Sequence, residues 1–247
     1  MATGKIRVGV GGWDYDPWRG SFYPDGLAKT KQLAFAAERL TATEVNATFY
    51  GRQKPETFAK WAAAVPDGFR FALKASRYAT ARKKLSEGGE SIERFLEQGL
   101  TELGDKLGPI LWQFAATKTF DADDFAQFLT MLPAKQDGLP LQHALEPRHE
   151  SFRDPAFIVL ANAANAAVVY ADSDEFPCIE AATADFTYAR LQRAALDCPT
   201  GYEDAALDGW AGKGRAWATG GDAYIFFISG AKVRNPAAAT ALVAKLP

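Results

Sequence analysis

Glu146 and Arg148 sit near the end of the segment LQHALEPRHES, residues 141–151. Read as a short buried strand, it puts Leu141, His143 and Leu145 on one face. Gln142, Ala144, Glu146 and Arg148 share the other, so a carboxylate and a guanidinium point the same way at the strand's C-terminal end. Burying two such charges is costly unless they pair or hold a ligand. The same pattern, an apolar run tipped by polar residues, recurs along the chain. Glu44 and Asn46 lie in TEVNATFY, Lys74 in FRFALK, Gln113 in PILWQF, Asp172 after AAVVY and Arg190 in FTYARL. Arginine suits a bidentate grip on carboxylate or phosphate, whereas lysine acts as a point charge. If these tips converge, Lys74, Arg148 and Arg190 hold an anion and Glu146 and Glu44 form an acid–base pair. A separation of about 5 Å would make them resemble the carboxylates of a retaining glycosidase. The plainer alternatives are a ring of salt bridges and two glutamates paired separately.

The elements that must position these residues follow from periodicity. Short apolar runs predict strands at 6–10, 43–50 with its exit, 69–74, 109–114, 141–148, 166–170, 186–191 and 223–229. Helical spacing predicts helices over 30–40, 55–64, 91–103, 121–132, 155–162, part of 202–217 and 236–246. Pro55 suits a first helical turn, and the acids after Asp121 favour the macrodipole. The mixed stretch 173–185 has no assignment. Strand and helix thus alternate about eight times, with no linker or low-complexity break. This predicts a single α/β unit over residues 1–247, a TIM-type barrel of parallel strands, irregular around the sixth and seventh βα units. A doubly wound open sheet is the alternative. The barrel is favoured because the polar residues gather at strand C-terminal ends and no GxGxxG turn follows any strand; Gly9-Val10-Gly11-Gly12 has the wrong spacing.

Composition narrows the function classes. Hydrophobic residues make up 48% and charged residues 23% of the 247, an ordinary globular balance. A net charge of −2 gives no global basic field for nucleic acid, so such binding needs a local patch. Cys178 and Cys198 are too sparse for a disulfide framework and read as reduced thiols. No signal peptide or membrane-length apolar run is visible, which predicts a cytoplasmic protein with no membrane partner. Two histidines and no HExxH, CxxC or GxSxG string argue against a metal or a serine triad, and no cofactor is expected. His143, opposite in parity to Glu146, should face the helix layer.

Two loops offer further contacts. Trp13, Tyr15, Trp18, Phe22 and Tyr23, with Phe49 and Tyr50, could stack on a base or sugar or pack the loops together. Packing is preferred for Trp18 and Phe22. The run Arg77 to Lys84 is either a solvated loop or a phosphate contact.

Taken in order, GVGGWDYDPWRGSFYP, TEVNATFY, FRFALKAS, ILWQF, ALEPRHESF and YARLQ resemble the DUF72, or YecE-like, family over nearly the whole chain. The resemblance implies a TIM-type barrel, distantly similar to those of endonuclease IV and xylose isomerase. It also implies, by that analogy alone, a nucleic-acid or phosphodiester role. Trp13, Glu44, Asn46, Phe49, Tyr50, Lys74, Gln113, Glu146, Arg148, Arg190 and Tyr202 match the family pattern. Gln192 and Arg193 stand where the family has histidine and glycine, and Ile228 and Ser229 where it has two asparagines. The histidine-rich zinc set of endonuclease IV is absent, so its metal chemistry does not carry over. Two functions follow as expectations. One is a hydrolase or lyase on a small phosphorylated or carboxylated substrate, with Glu146 and Glu44 catalytic. Lys74, Arg148, Arg190, Asn46, Gln113, Trp13, Tyr50 and Tyr202 would bind that substrate. The other is a non-catalytic binder of single-stranded nucleic acid or nucleotide. Oligomeric state is left open.

Overall fold

The computed structural model describes residues 3–246. Nine strands form one parallel sheet: β1 Ile6–Gly11, β2 Ala42–Val45, β3 Arg70–Lys74, β4 Leu107–Gln113, β5 His143–Glu146, β6 Ala166–Val168, β7 Tyr170–Asp172, β8 Phe186–Leu191 and β9 Asp222–Phe227. Their spatial order is β6-β5-β4-β3-β2-β1-β9-β8-β7. The two ends of that list are one stretch of chain: β6 pairs with β5 and β7 pairs with β8, with only Val169 between them. A single interrupted strand therefore bridges the two edges and closes a TIM-type barrel. The irregularity expected around the sixth and seventh units is this break, together with residues 173–185, which form neither helix nor strand.

Helices fill the connections: α1 Lys29–Ala37, α2 Ala47–Tyr50, α3 Pro55–Ala63, α4 Arg77–Thr80, α5 Gly89–Leu96, α6 Ala122–Thr130, α7 Pro155–Ala163, α8 Asp204–Trp217 and α9 Asn235–Ala244. Local chemistry sets their starts. Pro55, Pro155 and Pro236 occupy first turns, where a missing N–H costs nothing. The Asp121 and Asp154 side chains accept hydrogen bonds from the N–H groups of Asp124 and Ala156. Sequence periodicity misplaced the end of the second strand. The second strand stops at Val45 and the chain turns at once into α2, so the strand and exit expected over 43–50 are shorter than the periodicity suggests. Thr48 Oγ1 instead donates to Lys74 O at 2.8 Å, tying α2 to the end of β3.

Apolar packing divides into an outer layer and an interior. Outward side chains such as Phe71, Trp112 and Leu145 pack in one layer with helix residues such as Phe157. His143 lies in that outer layer as its parity predicts, accepting from Trp112 Nε1 at 3.1 Å. Inside the barrel the filling is lopsided. Ala42, Ala72, Ala144 and Ala167 come from β2, β3, β5 and β6, while Phe186, Tyr188, Tyr224 and Phe226 come from β8 and β9. Aromatics from two strands fill the space that four alanines leave, and each buried ring contributes about 1.5–3 kcal/mol. β1 crosses this interior with Gly9, where an added Cβ would stand 2.1 Å from Ala42 O and 3.2 Å from the Phe226 ring. Above this packed plug, at the strand C-terminal ends, the interior residues become charged.

Candidate active site

Arg190 is the centre of the charged layer. It follows Tyr188 by two residues on β8, so both project into the barrel. Its Nε and Nη2 donate to the two oxygens of Glu44, each at 3.0 Å. Its Nη1 donates to both oxygens of Glu146, at 2.6 and 2.8 Å. One guanidinium thus holds two carboxylates, Glu44 through two nitrogens of its planar fork and Glu146 through the third alone. Tyr188 OH donates to Glu44 Oε2 at 2.8 Å and Gln113 Nε2 donates to Glu146 Oε2 at 2.6 Å. Glu44, Glu146 and Arg190 are buried.

The field of this network shows in its protonation. Burial pushes the Glu146 carboxyl upward, but Arg190 and then Arg148 outweigh it and leave it below the usual carboxylate range. Burial would likewise lower Arg190, yet Glu146 and Glu44 hold it above its ordinary value. Tyr188 is pushed well up, first by burial and then by the Glu44 charge, so its hydroxyl stays a donor.

Two cations rim this network with fewer partners. Lys74, at the end of β3, is 8% exposed. Its ammonium stands 4.1 Å from the Phe49 ring centroid. Among the described residues, no carboxylate oxygen lies within 4.0 Å of it. Burial is the largest influence on Lys74 and, aided by Arg190 and Arg148 against the pull of Glu44 and Glu146, lowers its pKa to about 8. Arg148 reaches Glu146 with Nη2 at 3.3 Å and lies 4.2 Å from the Phe176 ring. Its Nε is buried with no hydrogen-bond partner, and so is Nε2 of Gln192. Both orphans are donors, and a donor left unpaired in a buried place costs about 1–3 kcal/mol.

The residues singled out from the sequence therefore fall into three groups. Glu44, Lys74, Gln113, Glu146, Arg148 and Arg190 come together in the charged layer. Trp13, Asn46 and Tyr50 line a neighbouring cavity of about 560 Å³ over the ends of β1, β2 and β9, with Asp14, Ser229, Lys232 and Asn235. Asn235 is buried there with Oδ1 unpartnered. Tyr202 belongs to neither group: it packs on Phe227 in the outer layer, and its hydroxyl accepts from the Arg193 N–H at 2.9 Å. Asp172 pairs with Arg193 at 3.4 Å rather than with the central arginine. Trp18 and Tyr23 are core residues, and Arg82 is held by Tyr78 O and Ser91 Oγ. Sequence reasoning missed Tyr188, whose parity with Arg190 was a usable signal. It also missed Phe176 and Asn235, for which no short-range signal exists.

Among the described residues, no group of three or more histidine, cysteine or acidic side chains is arranged to hold a metal ion. Nor is any helix long and apolar enough to cross a membrane.

Comparison with known proteins gives consistent relatives. The chain is 27% identical over 158 residues to the UPF0759 protein YunF of Bacillus subtilis, a match covering 62% of this chain and 54% of that one. The match thus spans about half the length of that curated relative. A DUF72 family protein from Thermotoga maritima superposes with a TM-score of 0.74 at 22% identity, covering 98% of both chains. One from Enterococcus faecalis gives 0.70 at 19% identity, covering 99% of both. These two likenesses carry the fold. The model of the family described as "Protein of unknown function DUF72" matches residues 7–247, and the chain belongs to that family.

Proposed function

We propose that the barrel mouth is the active site of a hydrolase or lyase acting on a small phosphorylated or carboxylated substrate. The observation that carries the reading is an imbalance of partners. Three cations, Lys74, Arg148 and Arg190, face two carboxylates, Glu44 and Glu146, and both carboxylates are already held by Arg190. One positive charge is left over. It resides at the rim, where Arg148 and Gln192 also present unpaired donors. An anion arriving there meets preorganised donors in a dry setting, the arrangement that stabilises developing negative charge most effectively. On this reading Glu44 and Glu146 fix the position of Arg190 and shape the field, and proton transfer falls to Lys74, whose pKa of about 8 suits work near neutral pH.

The test is calorimetric titration of the full chain with phosphate and with malonate. Binding is expected for at least one of them, weakened roughly tenfold or more in Arg148→Gln, as loss of a charge-assisted hydrogen bond of about 1.5–3 kcal/mol requires. No uptake of either anion would overturn the reading.

A second reading, a binder of single-stranded nucleic acid or nucleotide, draws on a different surface. Tyr50 and Tyr78 are 65% and 59% exposed. Tyr78 borders a cavity of about 480 Å³ also lined by Arg52, Arg82 and Arg94. Aromatic faces beside guanidinium groups suit stacked bases and phosphates. Oligonucleotide binding that falls steeply with salt, and that survives Arg148→Gln, would favour it over the first.

A further inference from the structure

We infer that Lys74 is a covalent catalyst: its amine adds to the carbonyl of a small anionic oxo compound and forms an iminium with it. The inference deepens the active-site reading above and rests on it.

The geometry isolates this amine. Lys74 is the last residue of β3, and its carbonyl is pinned by Thr48 Oγ1 at 2.8 Å, which fixes the start of the side chain. The ammonium end lies against the face of Phe49 and has no carboxylate within 4.0 Å among the described residues. A structural lysine in a layer with two glutamates would be paired with one of them. Here both glutamates are taken by Arg190, with four hydrogen bonds from a single guanidinium. The network thus leaves the amine without a directly paired carboxylate, with Arg190 and Arg148 acting on it against the pull of Glu44 and Glu146. Desolvation and neighbouring cations are the two devices that turn a lysine into a nucleophile, because both disfavour the ammonium form. On Lys74 burial is the largest influence; Glu44 opposes it more strongly than Arg190 assists, Glu146 and Arg148 follow with opposite signs, and the balance brings the amine to about 8.

The same surroundings select the substrate. Arg148 shares Glu146 with Arg190 through Nη2 alone, at 3.3 Å, and its Nε is unpartnered. A carboxylate or phosphate on Arg148 leaves the rest of a short molecule to reach Lys74. A carbonyl carbon placed there is open to attack by the Nζ lone pair. The C=O π pair moves to oxygen, which takes up a proton. One of the two amine hydrogens passes to that hydroxyl, which leaves as water, and the nitrogen keeps the other as the iminium. The net change is amine plus carbonyl plus one proton going to iminium plus water. The electron pair of a C–C bond broken at the adjacent carbon then moves into the iminium to give an enamine. The detached fragment leaves as a carbonyl compound as its hydroxyl loses a proton. Protonation of the enamine and addition of water free Lys74 and the second product, which makes the reaction a lyase rather than a hydrolase.

The experiment uses the full chain with pyruvate and with dihydroxyacetone phosphate, each in the presence of cyanoborohydride, which reduces an iminium to a stable secondary amine. Intact mass and peptide mapping locate the adduct, and calorimetry without reductant measures binding of the same two compounds and of lactate. The expected result is one adduct per chain, on Lys74, with at least one of the two probes. It should be lost in Lys74→Arg and reduced at least tenfold in Arg148→Gln, and both variants should keep wild-type circular dichroism. The probe that reacts tells carboxylate from phosphate. Binding of pyruvate, lactate or dihydroxyacetone phosphate without an adduct on Lys74 would overturn the covalent role and leave the anion site standing. Adducts spread equally over surface lysines would overturn it too. Absence of both binding and adduct would overturn the covalent role together with the anion site beneath it.

Discussion

Arg190→Met is expected to destabilise the protein by about 3–5 kcal/mol at neutral pH, read as a shift in the urea midpoint, because it strands two buried carboxylates. Glu44 and Glu146 have no exposed surface, and each receives two hydrogen bonds from this guanidinium. Methionine matches the stem of arginine in volume, so cavity formation is a small part of the loss. The pH dependence identifies the cause. In the wild type, Glu146 is held below its ordinary pKa, so its contribution to stability is present above about pH 4.3, its unfolded value, and is lost as pH falls through the folded value. In the variant, burial is unopposed by Arg190 and raises the carboxyl pKa above the unfolded value. The folded state then binds more protons than the unfolded one, and stability falls as pH rises. The difference between the two proteins should therefore narrow steadily from pH 7 to pH 4. A constant difference would mean that packing, not stranded charge, sets the loss. Combining Arg190→Met with Glu44→Gln and Glu146→Gln should recover part of the stability, since neutral amides can be buried at lower cost than unpaired carboxylates.

How much of this arrangement was legible beforehand depends on range. Alternation along β5 put Glu146 on the interior face and His143 on the helix side, and both follow from period-two geometry alone. The repeated polar tips at strand ends implied a common mouth, because a closed parallel barrel brings all its C-terminal ends together. Pairing within the mouth was not legible. Arg190 is 146 residues from Glu44 and 44 from Glu146, and nothing local says which tip meets which. Asp172 and Tyr202 show the converse. Both lie close to strand ends, yet Asp172 has the parity of Val168 and Tyr170, which face the helices, and Tyr202 packs on Phe227, so they meet Arg193 and the outer layer. Strand parity also failed where the chain left the sheet early: Asn46 kept its place at the mouth only because α2 begins immediately after it. The lopsided interior was readable in retrospect. Alanine on four strands and aromatics on two is a complementary pattern, but it requires the strand order before it can be recognised.

Lys74→Met should act in the opposite direction, stabilising the protein by roughly 3–3.5 kcal/mol at pH 7, since a pKa lowered from 10.5 to about 8 is worth about 1.4 kcal/mol per pH unit. The sign follows from proton counting. Between pH 8 and 10.5 the unfolded chain keeps the proton on this lysine while the folded chain has released it. Stability therefore rises with pH across that window, and below it the full cost of burying the charged ammonium is carried. Methionine removes the charge, keeps the length of the stem and can remain against Phe49. The gain over wild type should thus be largest below pH 8 and should shrink to near zero by pH 10.5, measured by urea denaturation at each pH. A site that becomes more stable when its charge is deleted is one where the fold tolerates strain for a purpose other than folding, because selection on stability alone would have replaced the lysine. Arg190 and Lys74 stand in the same layer and should give opposite signs. The first is the charge that lets two carboxylates be buried, and the second is the charge that those carboxylates were arranged to leave unpaired. A destabilising Lys74→Met with a flat pH profile would mean that the amine is one more structural cation, and it would remove the energetic basis for a reactive lysine.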